Sequence, residues 1–384
     1  MSPAPASRKH IAVTGIARTL PLEFPLAKAE NAGNIVHGNA PFSMFPDARF
    51  SVDRSWDGYT DGVSFRDFAN ASCSHLIVTV ANLIRVRNSH PATLERYRQF
   101  RERLEGYDVP IVIFGLGAQS DSSDTSEAEL PAEAIDLLRF LANRCQAISV
   151  RGSYTASLFA KYADDTKVFV TGCPSFYSRP EAFSELREHL RHGAPGTPAF
   201  NGTHFHKPAE KALIEKAILA EHFWIEPADP VVHGFFQESL REPELAAVPE
   251  AFRFLLQGRT PTLERAQLQS YFTRRYRLFR DLRSWQQFNM EHVSFTYGAR
   301  FHVNMASLLS GRGAFWVRHD SRTRELTDTL HLPSIDLEDA VDADPDAPTK
   351  TPAYDDLFDN VDSLFAHFNE FLDAAGLPQI THPH

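Results

Sequence analysis

Short apolar runs alternate with amphipathic stretches along the chain, and that rhythm predicts strands and helices in turn. In the first half the runs His10–Ile16, Ser74–Val80, Pro110–Phe114, Ala147–Val150 and Lys167–Val170 predict strands. Between them Leu94, Tyr97, Phe100 and Leu104 recur at helical spacing, and Gly106 stands where a C-terminal cap belongs. Pro131 opens another helix, with Ile135, Leu138 and Ala142 on one face. This alternation argues for a mostly parallel sheet with helices on both faces.

From Ser178 to Pro198 the chain turns polar and carries Pro180, Pro195 and Pro198, which reads as a crossing between domains. The pattern then restarts. Strands are expected at Ala199–Phe205, Phe223–Glu226, Val293–Thr296 and Ala314–Val317, and helices at Ala209–Ala220, Leu263–Trp285 and Val303–Leu309. An acidic, Pro-containing loop follows Asp336. A last helix carries Leu357, Val361, Leu364, Phe365, Phe368 and Leu372 on its apolar side and ends at Gly376. The expected fold class is α/β, two Rossmann-like domains facing across a cleft, with a C-terminal helix. The divisions are residues 1–180, a linker at 181–198, a second domain at 199–340, and the acidic loop and helix at 341–384.

A chain of 384 residues is long for one core, which supports two domains. Net charge of −10, from 49 acidic and 39 basic residues, argues against a general nucleic-acid binder. Cys73, Cys145 and Cys173 lie far apart without C-x-x-C spacing, which fits neither a zinc cluster nor a disulfide framework. They fit a reducing compartment, and with no signal-like N-terminus and no apolar run able to span a bilayer the expected location is the cytoplasm. No metal is expected.

The densest chemistry lies in Ser294–Glu325, SFTYGARFHVNMASLLSGRGAFWVRHDSRTRE. Two consecutive strand ends, at Gly298 and Val317, deliver Arg300, His302, Arg318, His319, Arg322 and Arg324 to one sheet edge. The carboxyl edge of an open α/β sheet is where ligands bind, and guanidinium forks match phosphate and carboxylate. A small, multiply charged anion is the expected ligand. Arg300 and His302, two apart, would point the same way in an extended segment, and a helix starting near Val303 would aim its N–H groups at the same anion.

GARFHVNMASLLSG, a short strand and HDSRTREL resemble the C-terminal signature of the polysaccharide pyruvyl transferases. Ile148–Thr155 (ISVRGSYT) and Val168–Ser175 (VFVTGCPS) fit the same family. The resemblance implies a B-type glycosyltransferase-like layout. It also implies transfer of an enolpyruvyl unit from phosphoenolpyruvate to a sugar of a cell-surface or exopolysaccharide glycan, or its precursor, forming a pyruvate ketal. No cofactor is implied, phosphoenolpyruvate being a substrate. His302 would be the general acid, because an imidazole can deliver a proton near neutrality. Arg300, Arg322 and Arg151 would bind the donor. The family commonly has an acidic residue where this chain has Gly152, and often a lysine where it has Arg322. Asp320 is a candidate for the substrate site, where it could orient His319 or Arg322, or it could cap the following helix.

Gly115-Leu116-Gly117-Ala118-Gln119 ends a strand and lets backbone approach a ligand at Gly117, but lacks dinucleotide-fingerprint spacing. Asn34, in Asn31–Asn34, resembles the family's first loop and could touch ligand or make an ordinary turn. His204 and His206 share a strand face, with substrate contact or plain surface preferred to metal. Arg265–Arg283 interleaves arginines with aromatics, reading as an amphipathic helix, with peripheral membrane contact or a lipid-linked sugar acceptor as the alternative. Asp53–Asp67 is a candidate acceptor loop. Two other functions stay open, a nucleotide-sugar glycosyltransferase of the same two-domain plan and a non-catalytic anion- or glycan-binding relative.

Overall fold

The computed structural model describes residues 10–21, 31–50, 62–119, 128–202, 207–226, 229–257, 262–344 and 347–383. Two all-parallel sheets organise them. The first contains β1 (His10–Gly15), β2 (Ala48–Phe50), β3 (Cys73–Thr79), β4 (Asn82–Arg85), β5 (Ile111–Gln119), β6 (Cys145–Val150) and β7 (Val168–Val170). Their order is β2-β1-β3-β5-β6-β7, with β4 paired to the far end of β5. The second contains β8 (Thr197–Asn201), β9 (Phe223–Ile225), β10 (Tyr276–Arg277), β11 (Val293–Gly298), β12 (Gly313–Arg318) and β13 (Ser334–Asp336). It runs β10-β9-β8-β11-β12-β13. Central strands such as β5, IVIFGLGAQ, are apolar almost throughout because helices cover both faces of a parallel sheet.

Every predicted strand is present, with ends shifted by a few residues; the stretch 203–205 of the expected Ala199–Phe205 strand lies outside the described residues. The expected Leu263–Trp285 helix is instead two helices, Arg265–Arg275 and Leu282–His292, separated by β10. Tyr276 and Arg277 pair with Trp224 and Ile225, so sheet hydrogen bonds outcompete helix continuation there. Consequently Arg265–Arg283 is not one basic amphipathic helix. Its aromatics Tyr271, Phe272 and Tyr276 are buried, and Arg274 and Arg275 pair with Glu221. The polar crossing holds a helix, Glu181–Arg191, with Phe183, Leu186 and Leu190 buried.

The last helix, Asp355–Ala375, ends at Gly376 in the left-handed conformation that caps helices. It does not stand apart as a C-terminal appendage. Phe368 stacks on Tyr177 with ring centroids 4.1 Å apart, and Phe371 meets Phe114 of β5 at 5.5 Å. The chain thus returns to the first domain after building the second. The largest hydrophobic cluster accordingly runs from Ile11 and Phe114 through Val303 and Trp316 to Phe365, joining both domains. Among the described residues no helix is long and apolar enough to cross a membrane.

Candidate active site in the interdomain cleft

A cavity of about 540 Å³ lies between the sheets, and both domains build its wall. From the first come Asn31, Asn34, Asn82, Arg85, Arg96, Arg103 and Arg151; from the second come Arg300, His302, His319 and Arg322. Six arginines and two histidines therefore line it, while no Asp or Glu does among the described residues.

The second domain presents its groups at the ends of β11 and β12, as the sequence predicts. Arg300 is the residue before the helix Phe301–Leu308, so the helix starts earlier than expected and the extended pairing of Arg300 with His302 gives way to a helical turn. Val303 spends its N–H on the Arg300 carbonyl and does not offer it to a ligand. Asn201, ending β8, accepts the Arg300 backbone N–H at 2.7 Å and donates to Asn304 at 2.8 Å. Arg300 Nε donates to the Gly202 carbonyl at 3.0 Å, which fixes the guanidinium against the neighbouring strand end.

Asp320 takes the capping role. It accepts the Thr323 N–H at 2.8 Å at the start of the helix Ser321–Thr329, and it accepts from Arg322 Nε at 2.9 Å. Burial pushes its carboxyl up, but His319 and Arg322 outweigh that and hold it at about 2. Asp320 itself is not in the cavity wall; it positions Arg322, which is. Arg318 and Arg324 pair with Asp336 and stay outside the wall.

His302 is buried, and its neighbours come from the first domain. Its ring lies nearly parallel to that of His37 at 6.0 Å, and Cys173 Sγ is 3.3 Å from Nε2. His37, on the helix Asn34–Met44, points Nε2 at the carbonyls of Val80 (2.9 Å) and Phe114 (3.2 Å), so this nitrogen must donate. Burial, reinforced by Arg151, lowers His37 to about 3. His302 is pushed well below the ordinary histidine range by burial first, then by Arg151 and His37. Both rings are neutral at neutral pH.

Arg151 follows β6 and is only 6% exposed. Its Nε donates to the Gly115 carbonyl at 3.1 Å and Nη1 to Asn82 at 3.3 Å, while Nη2 is buried without a hydrogen-bond partner. Gly117 lies beneath it: a Cβ there would stand 2.9 Å from both Arg151 Cδ and Asn82 Oδ1. Gly117 thus makes room for the guanidinium and is not itself wall. Asn34 makes a turn with Asn31 and also lines the cavity. His204, His206 and most of Asp53–Asp67 lie outside the described residues. Among the described residues no cluster of His, Cys, Asp or Glu is arranged to hold a metal ion.

A model of the polysaccharide pyruvyl transferase family matches residues 41–321. The chain belongs to that family. No curated protein matches it. Among solved structures this family member is similar to the UDP-GlcNAc 2-epimerase of Methanocaldococcus jannaschii, at 7% identity over 86% of this chain and 90% of that one, TM-score 0.40. It is likewise similar to S. aureus MnaA, at 11% identity, 97% and 100% coverage and TM-score 0.41. The wall teichoic acid polymerase TagF matches at 9% identity, 97% and 90% coverage and TM-score 0.40.

Several residues of the site escaped the sequence reading. His37, which packs beside His302 without lining the cavity, sits in an ordinary helix with no motif around it. Arg96, Gln99 and Arg103 left a trace, since their spacing places them beside Phe100 along one side of the helix Pro91–Glu105. That side was legible only as the flank of an amphipathic pattern.

Proposed function

We propose that this family member moves the enolpyruvyl unit of phosphoenolpyruvate onto two hydroxyls of a sugar, as a pyruvate ketal, with release of inorganic phosphate. The observation that carries the reading is the cleft wall, rich in arginine, free of carboxylate among the described residues, and holding His302 between the domains.

In this reading Arg151 and Arg300, from opposite domains, grip the phosphate and carboxylate of the donor, with Arg322 completing the clamp. Bidentate guanidinium contacts of this kind are strong because both partners are charged. His302 supplies the proton that turns the donor's methylene into a methyl group. The adjacent carbon becomes oxocarbenium-like and takes one acceptor hydroxyl. Phosphate then leaves with a proton, and the second hydroxyl closes the ketal. One hydroxyl proton thus replaces that given by His302 and the other departs with phosphate, so the histidine is restored.

A neutral histidine is a poor acid, and burial beside Arg151 and His37 keeps His302 neutral. The trianionic donor offsets the repulsion from Arg151 and raises the proton affinity of the ring. Donor binding therefore arms the acid.

A thermal-shift titration with phosphoenolpyruvate, run beside a panel of nucleotide sugars, tests the reading. Phosphoenolpyruvate should raise the Tm of the wild type and not of Arg300→Ala, since a ligand that binds only the folded state stabilises it by mass action. No shift with phosphoenolpyruvate at any concentration would remove the pyruvyl reading.

A further inference from the structure

Cys173 touches His302 and has no part in the reaction described above. It stands just after β7, at the entry to the short helix Pro174–Ser178, and is fully buried. Three polar side chains converge on its sulfur: Ser175 Oγ at 3.0 Å, His302 Nε2 at 3.3 Å and His37 Nδ1 at 3.7 Å. All three belong to buried residues.

A thiol has one proton, and its surroundings decide where that proton points. His37 Nε2 faces the carbonyls of Val80 and Phe114 and must donate. Burial keeps this ring neutral, so its Nδ1 carries only a lone pair. The contact of Cys173 with His37 is therefore a hydrogen bond only when the S–H donates. With its proton so placed, the sulfur is an acceptor toward Ser175 and His302. A neutral His302 then holds its single proton on Nε2. Its Nδ1 has no hydrogen-bond partner among the described residues, and His302 lines the cavity.

We infer that Cys173 is a positioning residue, holding His302 as the Nε2–H tautomer and leaving Nδ1 as the nitrogen that exchanges protons in the cleft. The inference rests on the pyruvyl reading for the reaction served; the tautomer follows from the hydrogen bonds alone. The donors run from His302 through Cys173 to His37 and end on two backbone carbonyls, so the first domain sets the proton on a ring of the second. In the reaction, His302 charged by donor binding carries a proton on each nitrogen. Nδ1 gives its proton to the methylene carbon, whose π pair forms the new C–H bond, and the N–H pair stays on Nδ1. An acceptor hydroxyl later returns a proton to the same nitrogen. Nε2–H stays on the sulfur throughout, so the ring need not turn between the two transfers.

Nitrogen-15 NMR of the histidine-labelled full chain at neutral pH tests this, with the His302 signals identified by their absence from His302→Gln. The wild type should show the imidazole proton on Nε2, protected from exchange with water. Cys173→Ser keeps both a donor and an acceptor and should keep that protection, whereas Cys173→Ala should lose it. In a transfer assay with phosphoenolpyruvate, Cys173→Ala should lower kcat about tenfold, the scale of one lost hydrogen bond. KM for phosphoenolpyruvate should barely move, and Cys173→Ser should stay close to wild type. A proton on Nδ1 in the wild type, an Nε2–H equally protected in Cys173→Ala, or equal losses of kcat in the two variants overturns the inference. If Cys173→Ala does not fold, the position of the proton in wild type and Cys173→Ser still decides it. Absence of transfer from phosphoenolpyruvate removes the pyruvyl reading separately and leaves the NMR result standing.

Discussion

The carboxylate of Glu325, in the second domain, accepts the backbone N–H of Tyr154, in the first, at 2.6 Å. It does so in the space above Gly152, where a Cβ would come within 2.1 Å of Glu325 Cγ. The helix Ser153–Tyr162 has no side-chain cap of its own, so its N-terminal N–H groups are served from across the cleft. The acidic residue that the family often has after the arginine is thus replaced in space by one 173 positions later, Glu325 standing where a side chain at Gly152 would reach. Glu325→Ala should cost about 1–2 kcal/mol, the range of a lost helix cap. Gly152→Ala should expel the same carboxylate, so the two losses overlap. Urea denaturation of both single variants and the double variant checks this, and strict additivity would rule the shared contact out.

Replacing His302 by Ala or Gln should lower transfer by roughly 10²–10⁴-fold, the usual worth of a positioned acid. Phosphoenolpyruvate should still raise the Tm of the variant, because the arginine clamp is untouched. Rapid-quench assays beside thermal shifts separate the two quantities. Near-normal turnover in either variant would remove His302 from the acid role.

Acid should destabilise the fold through buried imidazoles. His37 is lowered from 6.5 to about 3, so in that window the unfolded chain binds a proton that the native state refuses. Stability therefore rises with pH between these values and levels off above about 6.5, with a slope of up to ~1.4 kcal/mol per pH unit for each such group. His302 acts in the same direction. Denaturation midpoints at pH 7.5 and 5.5 measure the slope, and His37→Gln should flatten it. Identical slopes in wild type and variant would show that His37 does not carry the effect.

Gly117→Ala should disturb Arg151 without touching the donor. The added methyl presses on Arg151 Cδ and Asn82 Oδ1, so the guanidinium must shift from its contacts with Gly115 and Asn82. Phosphoenolpyruvate affinity should fall about tenfold, on the scale of one charged hydrogen bond. Arg151→Lys should lose at least as much, because an ammonium cannot keep the two contacts of the fork. Calorimetry on both variants reads the change, and unaltered affinity would take Arg151 out of the donor site.

Phe368→Ala should destabilise the whole molecule by about 3–5 kcal/mol, since a fully buried ring leaves a cavity that neighbours only partly fill. The ring is held by Tyr177 and Phe114, so the C-terminal helix and first domain should unfold together. Two separate melting transitions in the wild type would contradict that coupling.

The central strands and most long helices were legible in the residues because parallel strands buried on both faces read as unbroken apolar runs. The edge strands β2, β10 and β13 were not, being two or three residues long and formed by pairing with a neighbour. The same competition split the expected Leu263–Trp285 helix at Tyr276. Arg300, His302 and Arg322 could be assigned to one edge because consecutive parallel strands end on the same side. Asp320 carried a capping signal in Asp-Ser-Arg-Thr, and it caps.

What the linear chain determined by itself is the set of local patterns: strand and helix periods, the Gly-Ala-Arg-Phe-His strand end, and the concentration of arginine after β11 and β12. Those depend on residues close in sequence, whose geometry is set by a few backbone angles. Tertiary structure alone decided that His37 and Cys173 flank His302, that Glu325 serves Tyr154, and that Arg85 and Arg96 share a cavity with Arg322. Each of these pairs is far apart along the chain and brought together only by how two sheets and a returning helix bury their apolar faces. Burial in that shared core is also what pushes the histidines neutral, because charge is costly where water has been excluded.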